Sequence, residues 1–201
     1  MRIDRVILRA VLSTLAAVAV LCFVMIFALC LLYPSTVMQL TYDLGMDETS
    51  VKYAIRAYER TDEAYYAAFG FETAIGIDDD VHIEKCGLAL IADTDEFATY
   101  CQKRNEALGL TAITYDQYVY GQVAVAQYRM QKTDAAMQTA FAALETGSFP
   151  ENNAVVALFF TALRAEDSTT VAAMQTQMNV IRDTLSDTAY LDEVLAFAQS
   201  E

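Results

Sequence analysis

Hydrophobic positions change their pattern once along the chain. Residues 10–42 carry no charged side chain, and the most apolar stretch, residues 6–33, contains one charge at Arg9. A helix of about 20 apolar residues is long enough to cross a hydrocarbon core about 30 Å thick. Tyr33 stands where interfacial aromatic residues occur, and Pro34 is a natural end for the helix. The pattern predicts a helix over residues 6–33 that spans the lipid bilayer.

Two other kinds of N-terminal segment fit this stretch less well. A cleaved signal peptide has an apolar stretch of about 7–15 residues and a small-x-small cleavage site, whereas this stretch is longer and no such site follows it. A lipoprotein signal needs a small residue before the modified cysteine, but leucine precedes both Cys22 and Cys30. We therefore expect an uncleaved signal anchor, residues 1–34, and one domain, residues 35–201.

The charges beside the anchor predict its orientation. Three arginines stand at or before the start of the apolar stretch, with Asp4 as the one acidic residue there, and the first charges after it are acidic. Lysine and arginine collect on the cytoplasmic side of a membrane helix. We expect the N-terminus in the cytoplasm and the C-terminal domain outside it, in a single-pass protein of the cell membrane.

Beyond the anchor, the hydrophobic pattern repeats. Three segments that open with Thr-Asp start at Thr61, Thr94 and Thr133, and a degenerate fourth starts at Ser168, at spacings of 33, 39 and 35 residues. Self-similarity at a period of about 20–50 residues is typical of repeat architectures. Between the copies lie partner stretches at 80–92, 115–130, 150–164 and 187–199.

Apolar residues in these segments follow helical spacing. They step by three or four positions in the fourth copy (Val171, Met174, Met178, Ile181, Leu185) and in one partner stretch (Val119, Val123, Ala126, Met130). Such steps place one apolar stripe on a helix, and no stretch alternates with period two for long enough to predict a strand. The sequence predicts an all-α fold of about nine or ten short antiparallel helices, paired as hairpins, after the membrane helix.

Residues that begin and end helices separate the predicted helices. Thr-Asp offers an N-cap oxygen and an acidic charge for the first turn. Gly76, Gly109 and Gly147 follow apolar stretches as C-terminal caps do, and Pro150 suits a first turn. The spacing of 39 residues predicts an enlarged loop near 109–114.

Two stretches resemble the tetratricopeptide repeat (TPR). Leu40–Ala57 is similar to the junction between the two helices of such a repeat, and Tyr120–Leu144 is similar to a nearly whole repeat, although the chain has no Trp. The residues near signature classes are Gly121, Tyr128, Ala136, Phe141 and Leu144. The resemblance implies a TPR-like solenoid of α-α hairpins over residues 35–201, whose inner face binds a segment of a protein partner. An anchored repeat domain also resembles, in architecture, bacterial accessory proteins that sit beside the secretion channel.

Composition narrows the function classes. Hydrophobic residues make up 55% of the 201-residue chain, which is too many for a disordered protein. The net charge of −14 disfavours nucleic-acid binding, because a phosphate backbone repels a net anion. Beyond residue 34, ten basic and 26 acidic residues leave a net charge of −16, so the domain is not expected to adhere to an anionic bilayer.

Cys86 and Cys101 are the first candidate for specific chemistry. They lie seven residues before and eight residues after the Asp93–Thr94 turn, which places them opposite each other in an antiparallel hairpin. A disulfide there would close a loop of about 15 residues and contribute about 3 kcal/mol. The alternative is two small apolar residues packed between helices, because helix axes about 8–10 Å apart seldom bring Cα atoms within bridging distance.

The densest set of possible metal ligands is five residues within positions 78–84: Asp78, Asp79, Asp80, His82 and Glu84. They lack the calcium-loop spacing, and His82 is the one histidine in the chain. Acidic residues that oppose the positive end of a helix dipole explain the run better. The sequence contains no phosphate-binding loop and none of the common hydrolase motifs. We therefore expect no enzymatic activity, no cofactor, no metal and no small-molecule substrate.

Tyr115, Tyr118 and Gln122 are the candidate partner-binding residues. Tyrosine is a common anchor in recognition surfaces, and these three fall on the inner face of the predicted solenoid. The alternative is ordinary packing between helices. If the buried stripe runs through Val119 and Val123, only one of the two tyrosines belongs to the core.

These observations favour a membrane-tethered scaffold that binds protein partners at the extracytoplasmic face of the cell envelope. One alternative is a structural subunit of a membrane complex, such as a secretion-associated complex, that acts through self-association. The other is an enzyme with a carboxylate-lined site between helices.

Overall fold

The computed structural model describes residues 2–92, 94–109, 115–146 and 153–199, and all regular structure in these ranges is helical. This confirms the all-α prediction, and ten α-helices follow the first one in the described part of the chain. The helices are α1 (Arg2–Leu32), α2 (Pro34–Asp43), α3 (Asp47–Thr61), α4 (Ala64–Gly76), α5 (Asp80–Ala92), α6 (Thr94–Leu108), α7 (Tyr115–Arg129), α8 (Thr133–Ala142), α9 (Ala154–Arg164), α10 (Ser168–Arg182) and α11 (Ala189–Gln199). A 3₁₀ turn, Ala143–Thr146, extends α8.

The hydrophobic stripes mark buried faces as the spacing predicts. On α10, Met174 and Met178 are fully buried, and the other stripe residues pack against the same cluster. α7 is buried on more than one side, because Gln117, Gly121 and Gln127 are buried along with its valines. The stripe prediction was too narrow for α7, since this helix contacts α5, α6, α8 and α9.

The predicted helix start at Thr61–Asp62 is wrong. Thr61 is the last residue of α3, Asp62 takes a left-handed conformation with φ of 58°, and α4 begins at Ala64. The Thr61 hydroxyl donates back to the carbonyl oxygen of Ala57 at 3.0 Å, so it serves the helix that ends there. At the next two copies, Thr94 and Thr133 are the first helical residues, with an acidic residue in the first turn as predicted. The N-cap of α8 is Lys132 and no side chain caps it, so the predicted N-cap role of Thr133 is wrong.

The glycines and the fourth copy show how single residues end and begin these helices. Gly109 ends α6 with φ of 64°, as predicted for a C-terminal cap. Gly76 instead stays within α4, and the left-handed residue after it is Asp78. Asp167 caps α10 by accepting a hydrogen bond from the Thr170 backbone N–H at 3.1 Å. The predicted roles of Gly147, Pro150 and loop residues 110–114 fall outside the described residues.

Contacts follow the order of the helices along the chain. Helices adjacent in sequence pack against each other, and α4–α6, α5–α7 and α7–α9 pack across one intervening helix. The buried apolar side chains form two clusters that meet at α7, one from α3 to α7 and one from α7 to α11. Gly87 of α5 allows the closest approach, because a Cβ placed on it would lie 2.2 Å from Cγ2 of Val123 on α7.

α1 differs from every other described helix in its surroundings. Its segment Ile7–Leu32 is 26 residues long, and the most apolar 18-residue window of the helix has a mean hydropathy of 3.1 and contains no buried residue. Ser13 and Thr14 donate their hydroxyls to the Ala10 carbonyl, each at 2.9 Å, so their polar atoms are satisfied within the helix. By length and composition this helix can cross a membrane, a test that an N-terminal signal sequence also passes.

Candidate partner-binding groove between α4 and α6

A groove of about 680 Å³ lies between the start of α4 and one face of α6. From α6 it uses positions three or four apart, which share one face of a helix. From Asp95 to Ala107 this face is about 18 Å long, at about 1.5 Å per residue. We call this feature the α4–α6 groove; its lining residues are Glu63, Ala64, Tyr65, Asp95, Glu96, Thr99, Tyr100, Lys103, Arg104 and Ala107.

A side chain of α6 fixes the start of α4 at one end of the groove. The Glu96 carboxylate accepts a hydrogen bond from the Ala64 backbone N–H at 2.8 Å. The first N–H groups of a helix have no partner within the helix and carry positive dipole charge. Glu96 therefore caps a neighbouring helix, which ties the two walls of the groove together.

One carboxylate oxygen organises the other end of the groove. Oε1 of Glu72 on α4 accepts hydrogen bonds from the hydroxyls of Tyr100 (2.9 Å) and Tyr115 (2.6 Å), and it pairs with Nη2 of Arg104 at 2.7 Å. The Arg104 guanidinium also stacks 5.5 Å from the centroid of the Tyr115 ring. We call these four residues the Glu72 cluster. It holds the groove residues Tyr100 and Arg104 in fixed orientations.

The tyrosines of the Glu72 cluster stay protonated at neutral pH. Burial raises the pKa of Tyr115 and Tyr100 well above its usual range, and the negative charge of Glu72 raises it further. Each hydroxyl is therefore a permanent donor to Glu72. Nε of Arg104 is buried and has no hydrogen-bond partner among the described residues.

The groove has charges of opposite sign at its two ends. Glu63, Asp95 and Glu96 lie at the end where α4 begins, Lys103 and Arg104 lie at the other, and Tyr100 stands between them along α6. An extended peptide rises about 3.3–3.6 Å per residue, so about five residues of a partner fit along this face. The surface can match a segment that is basic at one end and acidic at the other.

Aromatic side chains continue from the groove across the outer surface of α4. Tyr65 is 56% exposed, and its ring centroid lies 6.4 Å from that of Phe69. The Phe69 ring meets Tyr42 of α2 edge-on at 5.0 Å. Tyr65 and Tyr42 are exposed and Phe69 between them is partly buried, and such aromatic side chains beside a polar groove are enriched in recognition surfaces.

The three residues predicted to bind a partner take different environments. Tyr115 is 5% exposed within the first core cluster, so little of its surface is open to a partner. Tyr118 is half-buried, 5.7 Å from the Tyr115 ring and 6.5 Å from the Phe71 ring, and Gln122 is also partly exposed. Tyr115 is thus buried in the core and Tyr118 packs against it half-buried, and the binding role of all three stays a prediction.

Cys86 and Cys101 lie on the adjacent helices α5 and α6, as the hairpin prediction placed them. Both are buried, with 1% and 5% of their surface exposed, and each is a free thiol in the structure. Burial raises the pKa of each thiol to about 12. Both groups are therefore protonated and unreactive at neutral pH in this form, and the disulfide stays a prediction.

The acidic run stands at the start of α5. Asp79 accepts from the His82 backbone N–H at 3.2 Å and contacts the His82 ring. Asp80 lies 3.4 Å from Nη1 of Arg129, and Glu84 pairs with Lys132. Three of the five residues thus cap α5 or link it to α7 and the turn that follows α7.

Sequence reasoning missed Glu72 and Arg104. One signal was present, because Glu72 is the only charged residue between Ala64 and Gly76. A lone carboxylate in an apolar helix requires partners from other helices. Spacing alone did not identify Tyr115, 43 positions away, as one of them.

The comparisons with known proteins give no relative for this chain: no protein family, no curated protein and no solved structure matches it.

Proposed function

We propose that this chain is a single-pass membrane protein whose TPR-like helical domain binds a segment of a protein partner outside the cytoplasm. The α4–α6 groove is the proposed contact surface, with Tyr65 and Tyr100 as anchors. The mechanism is tethered recognition, in which the anchor restricts the domain to the membrane surface and so raises its effective concentration for partners there.

The observation that carries this proposal is the exposure of α1. The helices after it bury apolar faces against one another, whereas the most apolar window of α1 contains no buried residue. An apolar helix of 26 residues in water would expose a surface far larger than soluble monomers tolerate. A bilayer gives this surface an apolar environment, and the basic residues before it favour a cytoplasmic N-terminus.

The packing order supports the repeat assignment. In a stack of α-hairpins, each helix contacts its neighbour in sequence and the equivalent helix of the next hairpin. The α5–α7 and α7–α9 contacts have this form on one side of the molecule, and the α4–α6 contact has it on the other. Three features join α5 to the α7 region: the close approach at Gly87, the ion pair between Arg129 and Asp80, and the ion pair between Lys132 and Glu84.

Protease access and an intact-mass measurement test the anchor and its orientation. We expect protease added outside intact cells to remove the region beyond about residue 40, and purified protein to retain its complete N-terminus. A domain that resists protease until the membrane is opened would reverse the orientation. A mature chain that starts after residue 34 would identify a signal sequence instead.

Site-specific photocrosslinking tests the groove. A photoreactive residue at Tyr65 should yield a discrete heterologous adduct in native membranes, and Lys103→Glu should weaken that adduct because it reverses the charge at the basic end. The control position is Val180 on α10, which is 58% exposed and outside the groove. Equal adducts from both positions would refute the groove, and an adduct between two copies of the chain would favour the self-associating subunit.

A further inference from the structure

A second groove, of about 630 Å³, lies where α1 meets α3. Its α1 wall is apolar and includes Phe23, Ile26 and Phe27, while α3 contributes Tyr53, Arg56 and Arg60. Nη1 of Arg60 donates to the carbonyl oxygen of Leu31 at 2.9 Å. This bond joins the guanidinium to the last turn of the apolar helix.

The groove changes from apolar to polar along the axis of α1, towards the end of α1 at Leu31. Phe23 precedes Leu31 by eight residues, or about 12 Å along a helix. If α1 spans a bilayer, Phe23 and Phe27 lie among acyl chains, and Arg60 lies at the level of the lipid headgroups. Phe23 and Phe27 are 70% and 56% exposed, so their surfaces are open to such a chain.

The basic residues of the domain are concentrated here. Lys52, Arg56 and Arg60 follow each other at intervals of four on one side of α3, and all three are exposed. They are three of the ten lysine and arginine residues beyond residue 34, in a region with 26 acidic residues. Glu59 also lines the groove, but Lys85 pairs with it at 3.0 Å.

We infer that this groove binds one glycerophospholipid with a net negative headgroup. Its phosphate lies between the guanidinium groups of Arg56 and Arg60, and an acyl chain lies against the apolar wall of α1. Guanidinium groups suit phosphate because they present several donors in a planar fork. The Arg56 guanidinium is already held 5.0 Å from the centroid of the Tyr53 ring, so less of its freedom is lost on binding. A zwitterionic lipid would bring its own cation close to two arginines.

The inference rests on the proposed membrane anchor and differs from the expectation that so acidic a domain avoids an anionic bilayer. The net charge of the domain opposes its approach to an anionic bilayer, but interactions between exposed charges are screened beyond about 8–10 Å at physiological salt. The two arginines act locally, within hydrogen-bond distance of the headgroup, whereas most of the acidic residues belong to helices farther along the chain.

The test uses the full chain in nanodiscs of phosphatidylcholine with phosphatidylglycerol, followed by native mass spectrometry of the lipids retained after release. We expect wild type to retain phosphatidylglycerol in preference to phosphatidylcholine, and Arg56→Gln/Arg60→Gln to retain on the order of tenfold less of it. The matched control is Arg129→Gln/Arg164→Gln, which removes the same charge from a groove of about 540 Å³ elsewhere. This control should behave as wild type.

Each contrary result has a defined meaning. Equal retention of the two lipids by wild type would by itself overturn the inference. Retention of phosphatidylglycerol by the Arg56/Arg60 variant at the wild-type level would also overturn it. Displacement of the lipid by millimolar inorganic phosphate also overturns it, because the site would then recognise a free anion. Vesicle flotation and intact mass on the same preparation test the anchor separately. A chain that floats with the vesicles and keeps its N-terminus, but shows no lipid preference, refutes this inference while supporting the proposed anchor.

Discussion

Replacing Gly87 with alanine tests the packing that joins the two core clusters. Gly87 is buried in the middle of α5, and an added Cβ would lie 2.2 Å from Cγ2 of Val123 and 3.2 Å from the nearest atom of the Phe71 ring. Ordinary contacts of this kind are 3.4–4 Å. The new methyl group therefore overlaps Val123 by more than 1 Å, and either a side chain or the α5–α7 spacing has to change.

The expected cost follows from two opposing effects. Overpacking a well-filled core costs about 1–3 kcal/mol, while alanine stabilises a helix interior by about 0.5–1 kcal/mol relative to glycine. We expect Gly87→Ala to lower the free energy of unfolding by about 1–2 kcal/mol. For a domain of this size that corresponds to a decrease in Tm of roughly 2–8 °C.

The assay is urea unfolding of the full chain in detergent micelles, followed by tyrosine emission, since the chain has 12 tyrosines and no tryptophan. Gly76→Ala is the matched control: no atom lies within 4 Å of its added Cβ, so its stability should stay equal or rise slightly. Val123→Ala removes the clashing methyl groups. The double variant should therefore be at least about 1 kcal/mol more stable than the sum of the two single effects predicts. A Gly87→Ala protein as stable as wild type, or strict additivity, would refute the close α5–α7 approach.

Three further predictions concern individual side chains. Glu72→Ala should destabilise the domain by about 1–3 kcal/mol in the same urea assay, because it removes the acceptor of two tyrosines and an arginine. Glu72→Gln should lower the free energy of unfolding by less. Equal losses of stability in the two variants would contradict this reasoning. Asp167→Ala should cost about 1 kcal/mol at pH 7 through loss of the α10 cap. Hydrogen bonds from Thr170 lower the pKa of Asp167, so the cap contributes fully above the unfolded-state pKa of about 4. This contribution is lost as pH falls through the lowered pKa, and a difference between the two proteins that persists at pH 2 would oppose the assignment. In a Cys22→Ser/Cys30→Ser background, maleimide should label Cys86 and Cys101 slowly at pH 7.5 until urea unfolds the chain, because burial raises the pKa of both thiols to about 12; fast labelling of folded protein would contradict this.

The sequence predicted helices more reliably than it predicted their caps. The partner stretch at 80–92 coincides with α5, because its apolar positions face the α4 and α7 sides of the core and Asp80 opens the helix. The Thr61–Asp62 prediction failed because threonine at a helix end satisfies either a carbonyl behind it or an N–H ahead of it. Which of the two it takes depends on where the backbone turns, here at Asp62.

The groove was harder to predict than the helices for a different reason. Glu72, Tyr100, Arg104 and Tyr115 come from three helices, and single-helix periodicity carries no information on which side chains meet across them. The sequence identified Tyr115 as a candidate for partner binding, and in the structure its hydroxyl donates to Glu72 inside the domain. Of the two tyrosines that line the groove, Tyr65 is the more exposed, and Tyr100 is partly buried.

The distribution of charge over the domain predicts which side of it faces the bilayer in the proposed anchored state. A net charge of −16 beyond residue 34 repels an anionic surface as a whole, yet Lys52, Arg56 and Arg60 stand on the helix that meets the anchor. Attraction at this face and repulsion of the remaining acidic helices act in the same sense. If α1 is anchored in a bilayer as proposed, they would turn α3 towards its surface and the rest of the domain away from it. Both forces weaken as salt shortens the screening length to about 3 Å at 1 M. Distances from the bilayer to a probe at Val180, measured by fluorescence quenching, should therefore vary more widely at high salt. An unchanged distribution would mean that rigid contacts between α1 and the domain, such as the bond from Arg60 to Leu31, hold the orientation without help from charge.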